Sequence, residues 1–307
     1  MSIEFRRGWV PTPAARPRVR LTAALRADVA PPAVNFGSGL PVIGMHDNDI
    51  YGCCVLAADA NIVQQQTYFG QQTEVTVPDS EVLTAYEVVG GYNPNAGPPG
   101  NNPTDNGAQI ADGLAYLKNT GMSGHKIAAY GQVDVTATDK LKTAIWEFGG
   151  LSIGVNLPNS AIAQFNTGLP WTVDPANGTI AGGHCVYCNG YDAEGFTFWT
   201  WGKLWHMDYA FWNLYCEEAW SPVSTDWVNA TSGKDPEGVD LVTLGAEFMA
   251  ITGQDPFPVP SPAPSPPSPP SVSQPVSSLV PPSVSSPPSS GFLSRLAKVI
   301  SRLRYGV

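Results

Sequence analysis

Apolar and polar positions change period along this chain. From Cys54 to about Tyr68, "CVLAADANIVQQQTY", Val55, Ala58 and Ile62 share one face at helical spacing, and three consecutive glutamines, Gln64 to Gln66, are free to point to water. A second helix is predicted within "DNGAQIADGLAYLKNTGM" (residues 105–122), where Ile110, Leu114 and Leu117 keep the period and Gly121 stops it. A third follows in "TDKLKTAIWEFGG" (residues 138–150). The runs then shorten and are bounded by turn residues: "LSIGV" (151–155), "HCVYCNGY" (184–191) and "FTFWTWG" (196–202) read as strands. The later "YAFWNLYCEEAW" (209–220) reads as an aromatic helical run, with Cys216 in a core and Glu217 and Glu218 on a solvated face. Helices first and an antiparallel sheet second predict an α+β, two-lobed fold with its active cleft between the lobes.

The pattern changes again at the C-terminal end. Residues 256–291 are almost wholly Pro, Ser and Val, which cannot bury a core and sample extended polyproline II conformers, so they read as a disordered spacer. After it, residues 292–307 place Phe292, Leu293, Leu296, Val299, Ile300 and Leu303 on one helical stripe, while Arg295, Lys298, Arg302 and Arg304 avoid it. This basic amphipathic helix suits an anionic membrane or an acidic protein partner, or it docks back on its own acidic body. The expected organisation is a basic N-terminal arm (1–35), a folded domain (36–255), a Pro/Ser-rich linker (256–291) and the basic helix (292–307).

Charge sharpens this division. Residues 1–30 carry six arginines and two acidic residues; residues 31–291 carry six lysines and 24 acidic residues. An acidic body repels phosphate backbones, which argues against nucleic-acid binding by the folded part. The opening "MSIEFRRGWVPTPAARPRVR" lacks the apolar stretch of a signal peptide, and nowhere do 18 apolar residues run together, so the expectation is a product made in the cytoplasm. Five cysteines, an odd number at low density, read as free thiols.

Two adjacent cysteines, Cys53 and Cys54, stand where the first helix begins. A thiol at a helix N-terminus sits at the positive end of the dipole, which favours thiolate, and that describes Cys54 better than Cys53. The bland alternative is a small buried apolar residue. Among the four histidines, His184 opens a strand directly after Gly182 and Gly183, a rigid place from which an imidazole can face a cleft. Cys185 and Cys188 invite a zinc reading with Cys53 and Cys54. Residues three apart on a strand face opposite ways, however, and Val186 and Tyr187 supply no knuckle. No metal or other cofactor is therefore called for.

Four stretches in order, "GCCVLAA", "FGGLSIGVNLPNSAIAQFNTGLPW", "GGHCVYCNGYDAEGFTFWTWG" and the helix "DNGAQIADGLAYLKNTG", resemble the papain-like cysteine peptidases. The segments "GMHDNDIYGCCVLAA" and "TWGKLWHMDYAFWNLYCEEAW" are more similar still to a divergent phage and bacterial set with an Asn-Asp-x-x-Gly-x-Cys motif. The resemblance spans roughly residues 40–250. It implies a papain-like two-lobed fold and assigns Cys54 as nucleophile, His184 as general base and Asn48 as the side-chain donor of the oxyanion hole. The third triad position departs from the family, which has Asn there; here Trp199 or Thr200 falls at that place, and only Thr200 can accept a hydrogen bond from the imidazole. Two functions follow as expectations. One is a thiol hydrolase, phage-derived and virion-associated or acting on a cell wall, that cleaves peptide or isopeptide bonds. The other is a papain-like virion or interaction protein without turnover, docked through its C-terminal tail.

Overall fold

The computed structural model describes residues 8–14, 20–21, 30–40, 42–229, 232–235, 238, 245–246 and 249. The predicted linker and terminal basic helix lie outside the described residues. The described elements are, in order, β1 (Val34–Asn35), α1 (Cys54–Gln71), α2 (Asp79–Gly90), α3 (Ile110–Asn119), β2 (Ala129–Val133), α4 (Thr138–Phe148), β3 (Leu151–Pro158), α5 (Asn159–Thr167), β4 (Ile180–Tyr191), β5 (Gly195–Thr200), β6 (Lys203–Asp208), α6 (Tyr209–Tyr215) and β7 (Cys216–Val223). The strands form one antiparallel sheet in the order β2-β7-β3-β4-β5-β6, with β1 pairing on β4. The fold is α+β and papain-like.

Two apolar cores flank this sheet. One gathers α1, α2 and α3 against Cys185, Tyr187, Trp199 and Trp220 on one face of the strands. The other gathers α4, α5 and α6 with Val186, Cys188, Phe196, Phe198 and Trp227 on the opposite face. Strand alternation produces the split: successive residues of β4 feed alternate cores.

α1 departs from the amphipathic helix that its apolar spacing predicts. Gln64, Gln65 and Gln66 are buried rather than hydrated. Their amides do the work of tethers: Gln64 donates to the Val42 carbonyl at 2.6 Å, Gln65 to the Gly149 carbonyl at 2.6 Å, and Gln66 to the Phe148 carbonyl at 3.2 Å. Buried amides are costly unless paired, so these bonds tie the central helix to the Val42 segment and to the C-terminal end of α4, and fix its azimuth. A second difference concerns residues 209–220. The helical run ends at Tyr215, and Cys216 begins the central strand β7, so Glu218 is buried instead of solvated. Pairing with β2 and β3 on its two sides overrides the local helical spacing.

Asp59 lies inside the helical lobe, fully buried, where a methyl at Gly113 would come within 2.5 Å of its Oδ2. Neither carboxylate oxygen has a hydrogen-bond partner among the described residues, and burial pushes the carboxyl well above the usual range. The folded chain therefore keeps a proton that the unfolded chain releases above about pH 4. Stability from this group is complete below that pH and falls as pH rises towards the folded-state value. Asp59→Asn should remove this dependence. Its melting temperature relative to the parent should climb between about pH 4 and 7; parallel curves would show that Asp59 does not titrate between states.

Candidate active site

The site is built where α1 starts and β4 passes it. Cys53 is the cap residue, with φ −90° and no side-chain cap bond, and its thiol donates to the His46 carbonyl at 3.3 Å. Cys54 is the first helical residue. The preceding loop is wound tightly: His46 and Asp47 both have left-handed backbone (φ 55° and 56°), and the N–H groups of Ile50 and Tyr51 converge on the Asp47 carbonyl at 2.9 Å. That coil turns Asn48 inward. Its Nδ2 donates to the Tyr51 carbonyl at 3.1 Å.

From the facing strand, the Cys185 N–H donates to the Cys54 sulfur at 3.3 Å, joining helix and sheet at this thiol. His184, one residue earlier on β4, is buried, and its Nε2 lies 2.8 Å from the Thr200 hydroxyl at the end of β5. Cys54, His184, Asn48 and Thr200 line a single pocket, together with Gly44, Met45 and Trp201. Trp199, the other residue at the third triad position, sends its indole N–H to the Gly37 carbonyl at 3.1 Å. Cys185 belongs to the helical-lobe core and Cys188 to the opposite core, so the Cys-x-x-Cys does not converge. All five cysteines are free thiols.

Sequence reasoning passes over Trp201. Its ring stacks on His184 with centroids 4.4 Å apart and planes 18° apart, from a left-handed backbone (φ 44°) that turns the indole under the imidazole. The Trp-Gly pair after Thr200 is the signal that could have found it.

The N-terminal segment is the larger surprise. Residues 8–14, assigned to a basic arm, run through the site. The Trp9 N–H donates to the Gly183 carbonyl at 3.2 Å, on the wall beside His184. On the other wall the Val10 N–H donates to the Ala108 carbonyl at 2.9 Å, and the Ala108 N–H donates to the Gly8 carbonyl at 2.7 Å, as a parallel bridge. Gly8 is wedged between the walls: a methyl there would meet the Gly52 carbonyl oxygen at 1.7 Å, so no larger residue fits without backbone movement. The strap is anchored by buried Glu218. One of its oxygens accepts from the Trp9 indole at 2.6 Å and from the Thr12 N–H and hydroxyl at 3.3 Å, and the other accepts from the Trp220 indole at 3.0 Å.

This packing sets the electrostatics of the thiol. Burial pushes Cys54 up to about 11, while backbone N–H groups of Cys185, Gly8, Val55 and Cys54 pull the other way. Dehydration of the sulfur outweighs four donors.

No protein-family sequence model and no curated protein sequence matches the chain. Solved structures do. The chain is similar to xylellain, a cysteine protease from Xylella fastidiosa, at 18% identity with a TM-score of 0.57, covering 73% of this chain and 98% of that one. It is also similar to the cysteine protease and lectin-like domains of a surface layer associated protein of Clostridium difficile, at 12% identity with a TM-score of 0.50, covering 73% of this chain and 56% of that one. At these identities the likeness bears on architecture: the chain has the fold of the papain-like cysteine proteases.

Proposed function

We propose that the protein is a papain-like thiol peptidase whose cleft is held shut by its own N-terminal strap. The observation that carries this reading is the shared pocket in which the Cys54 sulfur meets β4 one residue from an imidazole whose far nitrogen is engaged by Thr200. Because Nε2 bonds to the Thr200 hydroxyl, proton exchange with the thiol runs through Nδ1. The hydroxyl accepts the Nε2–H and selects the tautomer in which Nδ1 is basic. Trp201 covers that bond from one side.

In the proposed reaction Nδ1 takes the Cys54 proton and the thiolate attacks the carbonyl carbon of an amide. The oxyanion is met by the Cys54 N–H and by the second amide hydrogen of Asn48, the first being held by Tyr51. The imidazolium then gives its proton to the departing amine as the C–N bond breaks, leaving a thioester on Cys54. Water, deprotonated by His184, attacks the thioester; the acid leaves and the thiol is restored. Peptide and isopeptide amides satisfy this chemistry equally. A virion precursor or a cell-wall peptide as substrate is supported by the sequence resemblance alone. A protein without turnover, which uses the cleft only to hold its strap, is the second reading, and the raised thiol pKa favours it.

The two readings separate on opening the cleft. With the thiol near 11, about one molecule in a thousand is ionised at pH 8. Alkylation of Cys54 by iodoacetamide, followed by peptide mass mapping, should therefore be slow in the parent and rise about tenfold per pH unit from 7 to 10. Gly8→Ala unseats the strap and rehydrates the sulfur, so the midpoint should move down and the rate at pH 7 should rise. An unchanged profile would leave the strap without influence on the thiol.

Activity is the second check. In the Gly8→Ala background, cleavage of fluorescein-labelled casein should fall by on the order of 10²-fold or more on Cys54→Ala or His184→Ala. Thr200→Val should lose about tenfold or more, while Thr200→Ser retains most of the rate. Full activity in the Cys54→Ala protein would eliminate the thiol mechanism.

A further inference from the structure

Asp105 lies outside the pocket that holds Cys54 and His184, yet its Oδ1 accepts two hydrogen bonds that reach both sides of the cleft. The Gly52 N–H, two residues before the nucleophile, donates at 2.9 Å, and the Tyr86 hydroxyl donates at 2.7 Å. The Tyr86 oxygen in turn accepts the Gly107 N–H at 2.8 Å. Gly107 precedes Ala108, whose N–H and carbonyl pair with the extended strap. One carboxylate and one phenol thus connect the loop that carries the thiol to the edge that receives an extended chain.

The two connected segments are the walls between which Gly8 is held. A methyl on Gly8 would strike the Gly52 oxygen, and a methyl on Gly107 would strike the Gly8 oxygen at 1.9 Å. The spacing between Gly52 and Gly107 therefore decides how an extended chain lies over the sulfur. Neither wall sets that spacing by itself: the segment from Gly52 to Cys53 is a turn, and Gly107 has left-handed backbone (φ 80°). Tyr86 is well suited to hold them. It is fully buried on α2 and stacked on Tyr92 with centroids 5.3 Å apart and planes 11° apart, so its hydroxyl has little freedom.

We infer that Asp105 and Tyr86 are positioning residues that keep the Cys54 loop and the Ala108 edge in register, so that a bound chain presents its carbonyl to the thiol. This rests on the peptidase reading. Neither residue touches the reacting atoms. The carboxylate acts through geometry rather than by promoting thiolate: burial raises the neighbouring Cys53 thiol, and the negative charge of Asp105 adds to that shift instead of opposing it. A charge-assisted bond to a backbone N–H is among the stronger neutral-to-ion contacts, which suits a tether under load from a bound chain.

The test uses the full chain in the Gly8→Ala background, with Asp105→Ala, Asp105→Asn and Tyr86→Phe. Three measurements are made on each: kcat and KM on fluorescein-labelled casein, the alkylation rate of Cys54 by iodoacetamide, and inactivation by benzyloxycarbonyl-Phe-Ala-fluoromethyl ketone. Iodoacetamide reads the thiol alone; the ketone also needs the edge. Asp105→Ala should lower kcat/KM and the ketone rate by about 10- to 100-fold while changing the iodoacetamide rate less than about threefold. Asp105→Asn keeps an oxygen acceptor and should restore the ketone rate to within about threefold. Tyr86→Phe, which frees the edge but leaves Asp105 on Gly52, should act mainly on KM. If the Gly8→Ala parent turns over casein and Asp105→Ala matches it, the positioning role is wrong and the peptidase reading stands. A similar fall for both electrophiles in every variant, tracking a lowered melting temperature, marks a structural role and also overturns the proposal. If the parent itself neither cleaves casein nor reacts with the ketone, the peptidase reading falls and the positioning role goes with it.

Discussion

The hydrogen bond from the Cys185 N–H to the Cys54 sulfur is the seam on which the site depends. It fixes the start of a helix against the middle of a strand, and every other feature follows from that apposition. His184 lines the same pocket as the thiol because it precedes Cys185 on β4, while Cys185 packs into the helical-lobe core. Thr200 reaches the imidazole because β5 pairs beside β4, with Tyr187 opposite Trp199. The buried glutamines of α1 keep the seam from rotating. A helix that was hydrated on one side, as its apolar spacing alone predicts, would leave the thiol free to swing away from the strand.

Placing the Cys54 thiol on a buried seam has an electrostatic consequence. The helix N-terminus and the surrounding N–H groups favour thiolate, but dehydration of the fully buried sulfur is larger and raises the thiol. Access and thiol electrostatics meet in one residue: Gly8, wedged against Gly52, also donates its N–H to the Cys54 sulfur. Glu218 holds the strap by accepting from Trp9 and Thr12, so one of its two buried oxygens is satisfied only while these donors or equivalents are in place; the other keeps the Trp220 indole.

Much of this was legible in the chain itself. Helical and alternating periods located α1, α3, α4 and the strands β3, β4 and β5, and the ordered motifs pointed to Cys54, His184, Asn48 and Thr200, which meet in one pocket. What stayed hidden depends on long-range contact. Glutamines look solvent-loving until a distant carbonyl reaches them, as Gly149 and Phe148 do. The residues from Cys216 onward carry a helical spacing that strand pairing with β2 and β3 overrides. The strap, the Glu218 anchor and the Asp105–Tyr86 connection join segments 19 or more residues apart, and no local pattern encodes a partner on another element.

The central claim is that Cys54, and not Cys53, attacks an amide or ester carbonyl with His184 as its base. Rapid acid quenching of the Gly8→Ala protein during turnover of a peptide ester, followed by mass mapping, tests it directly. The account predicts an added mass equal to the acyl half of the substrate on the peptide carrying Cys54, retained in Cys53→Ala and absent in His184→Ala. An adduct that survives Cys54→Ala, or product formed with no adduct at any time, would contradict it.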